Sequence, residues 1–242
     1  MQYADDQIQS FFIGLPAMEH ILDNPAWNAM VSANKHLTGG NDSARYFNSA
    51  VSPFAALKEN TAENFRALYD LLPHDIILFV TPDELEFSDQ WKIIGYVKGL
   101  QMVHDGSAIP DAADKNLVPL NEGHVPQMLE LTKLTNPGPF VERTIEFGHY
   151  HGIFGGDKLV AMTGQRLRPK GYAEISAVCT HPDHTGKGYA RQLMIQQMHR
   201  ILAAGEVPFL HVRYDNHRAI KVYENLGFAT RREVHFYVLK KV

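Results

Sequence analysis

Residues 178–191 read Val-Cys-Thr-His-Pro-Asp-His-Thr-Gly-Lys-Gly-Tyr-Ala-Arg, and this stretch decides the fold of the second half of the chain. Upstream of the loop, residues 172–180 mix β-branched and small apolar side chains as a buried strand does, and Pro182 ends that strand. Downstream, apolar side chains recur at helical spacing at Ala190, Leu193, Met194, Met198, Ile201 and Leu202. The sequence therefore predicts a strand, a glycine loop and a helix.

The two glycines of this stretch predict an anion-binding loop. Gly186 and Gly188 carry no Cβ, so successive backbone N–H groups can turn toward a ligand where the positive end of the helix dipole begins. Two familiar phosphate loops are excluded, because the chain has neither G-x-x-x-x-G-K-[ST] nor a G-x-G-x-x-G after a strand. A plain strand-to-helix turn is the alternative interpretation of the same residues.

The composition is that of a globular protein with a large core. The chain has 242 residues, of which 45% are hydrophobic and 21% charged, and its net charge is −4. This charge, without a long run of Lys and Arg, argues against nucleic acid as a partner. The single cysteine, Cys179, excludes an internal disulfide and fits a reducing compartment. Residues 1–15 carry acids rather than the basic start of a signal peptide, and no apolar run is long enough to span a membrane, so we expect a cytoplasmic protein without membrane contact.

Two domains are predicted, 1–115 and 116–242. Residues 105–116 shift to Asp, Gly, Ser, Pro, Ala and Lys, which is typical of a linker, and we place the boundary there. The predicted elements of the first domain are a helix from Pro25 up to Gly39, a helix from Thr61 to Leu72, and strands at 76–80 and 91–103.

The second domain is predicted to run strand, two helices, three strands, helix, strand, helix and closing strand. The predicted elements are a strand at 118–120, a helix capped by Asn121, a helix after Pro139, a hairpin turn at 154–158, strands at 159–167, 172–180, 208–214 and 236–239, the helix after the glycine loop, and a helix at 216–226.

The loop and this order of elements resemble the GNAT family of N-acyltransferases. The acetyl-CoA loop of that family reads Arg/Gln-x-x-Gly-x-Gly/Ala after a proline. Here Gly188, Ala190 and Pro182 occupy the matching positions, whereas Thr185 replaces the Arg/Gln. The departure removes one expected side-chain contact to a pyrophosphate and leaves the backbone contacts.

A second cluster extends the resemblance. Members of the family typically show an Asn after a strand, then a Tyr on the following helix, and a closing Leu-Gly-Phe, which match Asn216, Tyr223 and residues 226–228 here. The resemblance covers residues 117–242. Within the family, this part of the chain is similar to the branch with FR47-like and glycine N-acyltransferase-like members.

The resemblance implies an α/β (α+β) fold, in which helices flank a mixed central sheet. The N-terminal α/β half, with its order helix, helix, strand, strand, is similar to a reduced copy of the same fold. Acetyl-CoA is the implied cosubstrate, and no metal is implied. The implied cofactor-binding residues are Val178, Cys179, Thr180, Thr185, Gly186, Lys187, Gly188, Tyr189, Ala190, Arg191 and Asn216.

Three catalytic candidates follow from the same resemblance. The phenol of Tyr223 is the candidate general acid for the departing thiolate, although helix spacing alone favours a core tyrosine. Glu174 occupies the position of the catalytic Glu in the histone-acetylating branch, and a solvated edge residue is its alternative. His211 lies where the protein N-terminal acetylating branch carries its Glu, and a neutral imidazole is a plausible base. We favour Glu174 as the base and keep His211 as second choice or relay.

The predicted function is transfer of an acetyl group from acetyl-CoA to an amine of a small molecule or peptide, by direct attack in a ternary complex. Acceptor identity and oligomeric state stay open, with Arg143 and Arg166 as candidates to pair with an acceptor carboxylate. The alternatives are a non-catalytic acyl-CoA-binding sensor and a nucleotide-binding regulator. A nucleophilic or metal-binding role for Cys179 with His181 and His184 is a minor alternative.

Overall fold

The structure is a computed structural model that describes residues 20–111 and 117–242. The prediction for residues 1–15, and the end of the predicted linker, lie outside this range. The helices are α1 (Pro25–Met30), α2 (Ala62–Leu71), α3 (Val125–Thr135), α4 (Tyr189–Ala203) and α5 (His217–Glu224). The strands are β1 (Thr38–Gly40), β2 (Ala44–Phe47), β3 (Phe54–Leu57), β4 (Ile76–Thr81), β5 (Trp91–His104), β6 (Val118–Pro119), β7 (His151–Gly155), β8 (Lys158–Gln165), β9 (Tyr172–Thr180), β10 (Val207–Arg213) and β11 (Phe228–Lys241). Within the described ranges, we find no helix with the length and apolar character needed to cross a bilayer.

All of these strands form one mixed sheet in the order β1-β2-β3-β4-β11-β5-β10-β9-β8-β7-β6. Two neighbouring pairs are parallel, β3 with β4 and β9 with β10, and the other neighbours are antiparallel. Each parallel pair is connected through a helix, α2 in the first half and α4 in the second, as a crossover between parallel strands requires. The two halves of the chain therefore repeat one arrangement around the centre of the sheet.

The centre of the sheet exchanges strands between the halves. β5, from the first half, lies between β10 and β11 and pairs antiparallel with both. In turn β11, from the second half, lies between β4 and β5. Gly99 permits the close approach on β5, because a Cβ there would lie 2.9 Å from the Phe236 ring and 3.0 Å from the Val212 carbonyl oxygen. Each half thus depends on a strand of the other. The boundary near residue 115 stays a prediction.

Helices cover both faces of the sheet. On one face α1 and α3 pack against a cluster that includes Trp27, Met30 and Met128. On the other face α2 covers a cluster around Phe65, and α4 and α5 cover a third cluster around Met194. The central sheet flanked by helices was predicted, and this part of the prediction is confirmed.

The first predicted helix is too long. Asn24 caps it as expected, accepting a hydrogen bond from the Trp27 backbone N–H at 3.3 Å, but α1 ends at Met30 rather than near Gly39. The residues after α1 contact the other half of the chain instead of continuing the helix, because Asn34 accepts a hydrogen bond at 2.8 Å from the backbone N–H of Arg168. This long-range contact is invisible to local periodicity.

Three further predictions need correction. The helix expected after Pro139 is only a 3-10 turn at Thr144–Phe147, since the Thr144 hydroxyl donates to the Val51 carbonyl at 2.7 Å and ties the segment to the first half. The last strand is longer than predicted, because β11 pairs along its length with β5. Strands β1, β2 and β3 are missing from the prediction, and they are short.

Candidate active site

The site begins where two parallel strands part. β9 and β10 pair only at Val207 with Tyr172, Pro208 with Ala173, and Phe209 with Glu174. Beyond Glu174, the edge of β9 that faces β10 has no strand partner among the described residues. β9 and β10 both continue beyond this point without pairing with each other, and the cleft between them has backbone groups of β9 that are not bonded to a strand.

A bulge lies in that wall. The register between β8 and β9 shifts between Met162 and Gly164, opposite Ala177 and Val178, and Ala177 has a φ of 53°. A positive φ is uncommon for a residue with a Cβ and marks a local constraint on the backbone. The bulge falls within one residue of Val178, Cys179 and Thr180, which the resemblance implies as cofactor-binding residues.

The glycine loop follows the same strand. After a 3-10 turn at Pro182–His184, Gly186 and Gly188 adopt φ values of 81° and 78°, and α4 begins at Tyr189. The first helical N–H with a partner is that of Gln192, which donates to the Gly188 carbonyl at 3.1 Å. The N–H groups before it, on the first turn of α4, have no intrahelical acceptor and carry the positive end of the dipole. This loop is the shape expected of an anion cradle.

Side chains around the loop fit a ligand with anionic and hydrogen-bonding groups. The Thr185 hydroxyl donates to the Pro182 carbonyl at 2.9 Å and so shapes the loop itself. Lys187 Nζ lies 3.3 Å from His184 Nδ1 and brings a cation to the loop. Thr180 Oγ1 and Gln192 Oε1 are shielded from solvent but have no hydrogen-bond partner in the described chain.

The sequence analysis did not include Gln192 or His184 among the expected cofactor-binding residues. The signal for Gln192 was its place on the first turn of the predicted helix, where a side chain can reach a ligand at the helix N-terminus. His184 was considered only as a metal ligand. Beside it a cavity of about 610 Å³ opens between α3, the β7–β8 turn and the 3-10 turn, and His181 and Asp183 are among its lining residues.

Helix α5 carries two further candidates. Asn216 caps it, accepting a hydrogen bond at 3.2 Å from the backbone N–H of Ala219. Tyr223 is half-buried and packs against the same apolar cluster as Val178 of the bulged strand. Burial raises the pKa of Tyr223 to about 12.

Glu174 lies at the apex of the cleft in an ion-paired network. Its carboxylate accepts hydrogen bonds from Arg166 at 2.6 and 2.9 Å, and from His211 Nδ1 at 2.8 Å. Burial alone would raise the pKa of Glu174, but the Arg166 guanidinium and His211 outweigh it and lower that pKa to about 2. The carboxylate is therefore ionised, and its side chain is only 1% exposed.

His211 is the next member of this network. The strand register sets it directly opposite Gln101 of β5, and His211 Nε2 lies 3.2 Å from Gln101 Nε2. Both ring nitrogens therefore have partners, and the side chain is 3% exposed. The structure brings Glu174 and His211 together, whereas the sequence had treated them as rivals. Nothing in the sequence linked either residue to Gln101.

The other predicted candidates are Cys179, a metal site, Arg143 and Arg166. Cys179 is buried, and burial raises the pKa of its thiol to about 12, so it is not a ready nucleophile. The described residues contain no group of three or more His, Cys, Asp or Glu placed to hold a metal ion. Arg166 forms an ion pair with Glu174, and Arg143 forms an ion pair with Glu146 at 2.5 Å on the surface. Both guanidinium groups therefore already have a carboxylate partner within the chain.

Known structures share this architecture. A GCN5-related N-acetyltransferase from Kribbella flavida aligns over 86% of this chain and 92% of its own, with a TM-score of 0.58 at 12% identity, which supports the fold. An acetyltransferase of the GNAT family from Novosphingobium aromaticivorans DSM 12444 aligns over 93% of this chain and all of its own, with a TM-score of 0.86 and 35% identity. The fold and this full-length match group the chain with the GNAT class of proteins.

Sequence comparison agrees with the structural match. The family described as FR47-like protein matches residues 150–237. Mycothiol acetyltransferase from Saccharopolyspora erythraea is 35% identical over 74 residues, or 30% of this chain. The chain spans only 24% of the length of that curated relative. Taken with the full-length match, these findings mean that the chain belongs to the GNAT family of acetyltransferases, and the predicted family is confirmed.

Proposed function

We propose that this protein transfers an acetyl group from acetyl-CoA to the amine of a small molecule or peptide, by direct attack in a ternary complex. The observation that carries the proposal is the cleft between β9 and β10, which leads from the Glu174–His211 pair to the glycine loop. Acetyl-CoA supplies an activated thioester and a pyrophosphate. The cleft and the loop offer groups suited to each end of such a molecule.

The proposed binding residues lie along that path. The backbone N–H groups of residues 186–191, at the glycine loop and the start of α4, would hold the pyrophosphate. The free edge of β9, at Val178, Cys179 and Thr180, would bond the pantetheine arm, and the unpartnered Thr180 hydroxyl supports this assignment. Asn216, which follows β10 and caps α5, is the proposed contact on the opposite side of the cleft.

One such site is proposed for each chain. The turn before α2 is the counterpart of the glycine loop in the first half, and it reads Lys58-Glu-Asn-Thr61, without glycine. The Thr61 hydroxyl already accepts from the Asn64 backbone N–H at 3.2 Å, and the Asn60 amide donates to Thr81 at 3.3 Å. The turn therefore lacks the glycine backbone of the loop before α4, and its Asn60 and Thr61 side chains already have partners within the chain.

Tyr223 is the proposed general acid. The phenol is protonated at physiological pH and could deliver that proton to a departing thiolate. Burial raises the pKa of Tyr223 to about 12, which makes the phenol a weaker donor than an exposed tyrosine. Its packing with Val178 in one cluster supports a position beside the bulged strand. A purely structural tyrosine would fill the same space without affecting turnover, so the phenol itself must be tested.

For the base, we propose His211 oriented by Glu174, which reverses the preference drawn from the sequence. A carboxylate whose pKa is held near 2 by an arginine is a weak proton acceptor. The same ionised carboxylate accepts the Nδ1–H of His211 at 2.8 Å and would stabilise the imidazolium formed when Nε2 takes a proton. A base oriented by an acidic partner is a recurrent arrangement in enzymes that activate a nucleophile.

A second candidate function is favoured by one observation. Glu174 and His211 are both shielded and already hydrogen-bonded within the protein, as in a structural network. An acyl-CoA-binding sensor without catalysis would need the cradle and no exposed base. The cytoplasm remains the proposed location for either function, because the single cysteine is free and buried.

Calorimetric titration with acetyl-CoA, free coenzyme A and ATP tests the proposal first. We expect acetyl-CoA and coenzyme A to bind at one site per chain and ATP not to compete. Thiol release is then measured with a panel of amino acids, polyamines and peptides. Turnover with one class of amine identifies the acceptor, binding without turnover on any amine supports the sensor, and absence of acetyl-CoA binding contradicts both functions.

A further inference from the structure

Gln101 is a residue of the first half that contacts the proposed base. It belongs to β5, the strand that the first half inserts beside β10, and it is 0% exposed. In the antiparallel register Gln101 is directly opposite His211, so the two side chains are cross-strand neighbours. The amide nitrogen of Gln101 is 3.2 Å from His211 Nε2.

Two other contacts determine how the Gln101 amide is oriented. Its nitrogen donates to the carbonyl oxygen of Leu22 at 2.8 Å, and a carbonyl can only accept. Its oxygen accepts from Arg231 Nη1 at 2.9 Å, and a guanidinium can only donate. Both contacts require the same orientation, which leaves the second amide hydrogen to face His211 Nε2.

Arg231 is itself held in place. Its other terminal nitrogen donates to Asp23 at 2.7 Å, and Asp23 also accepts from Arg232 at 2.6 Å. Burial favours the neutral form of Asp23, but the hydrogen bonds from Arg231 and Arg232 outweigh it and lower the pKa of that carboxyl. The orientation of the Gln101 amide is therefore fixed by a charged group that cannot release its proton.

The other end of the imidazole is equally constrained. Glu174 is ionised between Arg166 and His211, and it can only accept. The hydrogen bonds thus run in one direction, from Arg231 through Gln101 to His211 and on to Glu174. His211 can complete the series only as the neutral ring with its proton on Nδ1 and its lone pair on Nε2.

We propose that Gln101 is a positioning residue that holds His211 in the neutral Nδ1–H tautomer, in which the Nε2 lone pair accepts the Gln101 amide hydrogen and gives up that hydrogen bond when it takes a proton. The first half of the chain thereby contributes a residue to the site of the second half. The consequence for turnover rests on the proposed function of His211, whereas the tautomer itself does not. The charged groups that face the ring, directly or through Gln101, are Glu174, Arg166 and Arg231.

Substitution of Gln101 separates this role from simple packing. Gln101→Glu places an acceptor opposite Nε2 and is expected to protonate His211 at both nitrogens. Gln101→Leu removes the donor and keeps the volume, so the ring stays neutral while Nε2 loses its hydrogen bond. Met102→Leu, at the adjacent buried position on the opposite face of β5, is the matched control and leaves His211 unchanged.

The measurement is the ¹⁵N NMR spectrum of the imidazole side chains in the full chain, with His211 assigned by loss of its signals in His211→Gln. Wild type is expected to show a protonated Nδ1 and an unprotonated Nε2, and Gln101→Glu to show two protonated nitrogens. If His211 carries its proton on Nε2 in wild type, or stays neutral in Gln101→Glu, the proposal is wrong.

Turnover is measured alongside the spectra. Loss of a working base is expected to lower kcat of Gln101→Glu by about 10²-fold or more, with acetyl-CoA affinity within about twofold of wild type. If the spectra behave as expected but wild type has no activity on any amine, the proposed acetyl transfer fails and the role of Gln101 stands. If wild type is active and Gln101→Glu keeps full kcat with a charged His211, then His211 is not the base.

Discussion

Replacement of Gly188 by alanine is the sharpest test of the anion cradle. Gly188 has a φ of 78°, and a Cβ built there meets no atom within 4 Å. The substitution therefore causes no clash in the protein, and its structural cost is only that of the left-handed backbone, roughly 1–2 kcal/mol for an L residue. The added methyl group would instead occupy the side of the loop from which a pyrophosphate approaches.

Gly188→Ala is expected to change the affinity for acetyl-CoA more than it changes the stability of the fold. If the methyl group prevents one hydrogen bond between a backbone N–H and a charged phosphate, about 1.5–3 kcal/mol of binding is lost. At about 1.4 kcal/mol for each tenfold change, acetyl-CoA should bind roughly 10- to 100-fold more weakly. The lower stability should reduce the melting temperature by about 2–4 °C for each kcal/mol.

Gly205 provides a matched control on the same helix. It follows the last turn of α4 with a φ of 73°, and a Cβ there also meets no atom within 4 Å. Gly205→Ala should therefore lose similar stability and no affinity. Both variants are compared by thermal unfolding and by calorimetric titration with acetyl-CoA. Equal acetyl-CoA affinity in Gly188→Ala, Gly205→Ala and wild type would refute the assignment of residues 186–191 as the cradle.

Three further outcomes are expected. Tyr223→Phe should lower kcat by about 10²-fold or more and leave acetyl-CoA affinity within about twofold, in single-turnover and titration measurements; unchanged kcat would remove the phenol from its role. Glu174 has a folded pKa of about 2, below its ordinary 4.5, so its stabilising contribution is complete above pH 4.5 and is lost as the pH falls toward 2. Glu174→Gln should lower the free energy of unfolding at pH 7 by about 3–5 kcal/mol, because Arg166 is left buried and unpaired. It should also weaken the loss of stability between pH 4.5 and pH 2, measured by urea unfolding at a series of pH values. The same loss of stability in Glu174→Gln and wild type would contradict the ion pair. Residues 117–242 expressed alone should show no cooperative unfolding, because β10 and β11 lose the strand between them, whereas co-expression with residues 1–116 should restore it; a stable, cooperative fragment would contradict the exchange of strands.

The best sequence predictions were those whose physical cause is local. The predicted strand at 172–180 coincides with β9, and the helix after the glycine loop coincides with α4 to within a few residues. Asn216 was predicted as a cap and caps α5, because a side-chain acceptor beside free N–H groups needs only neighbouring residues. Helix periodicity failed between Pro25 and Gly39, where Asn34 bonds a residue far along the chain.

The sequence by itself determined the family, the glycine loop and the identities of Tyr223, Glu174 and His211 as candidates, because these depend on residue types at fixed spacing. Only the tertiary structure decided how they are arranged. The pairing of Glu174 with His211 follows from the register of β9 and β10, and its pairing with Arg166 follows from the register of β8 and β9. No spacing in the sequence encodes this arrangement. Gln101 reaches His211 only because β5 crosses into the other half of the sheet, and such long-range strand pairing is set by the packing of the whole chain.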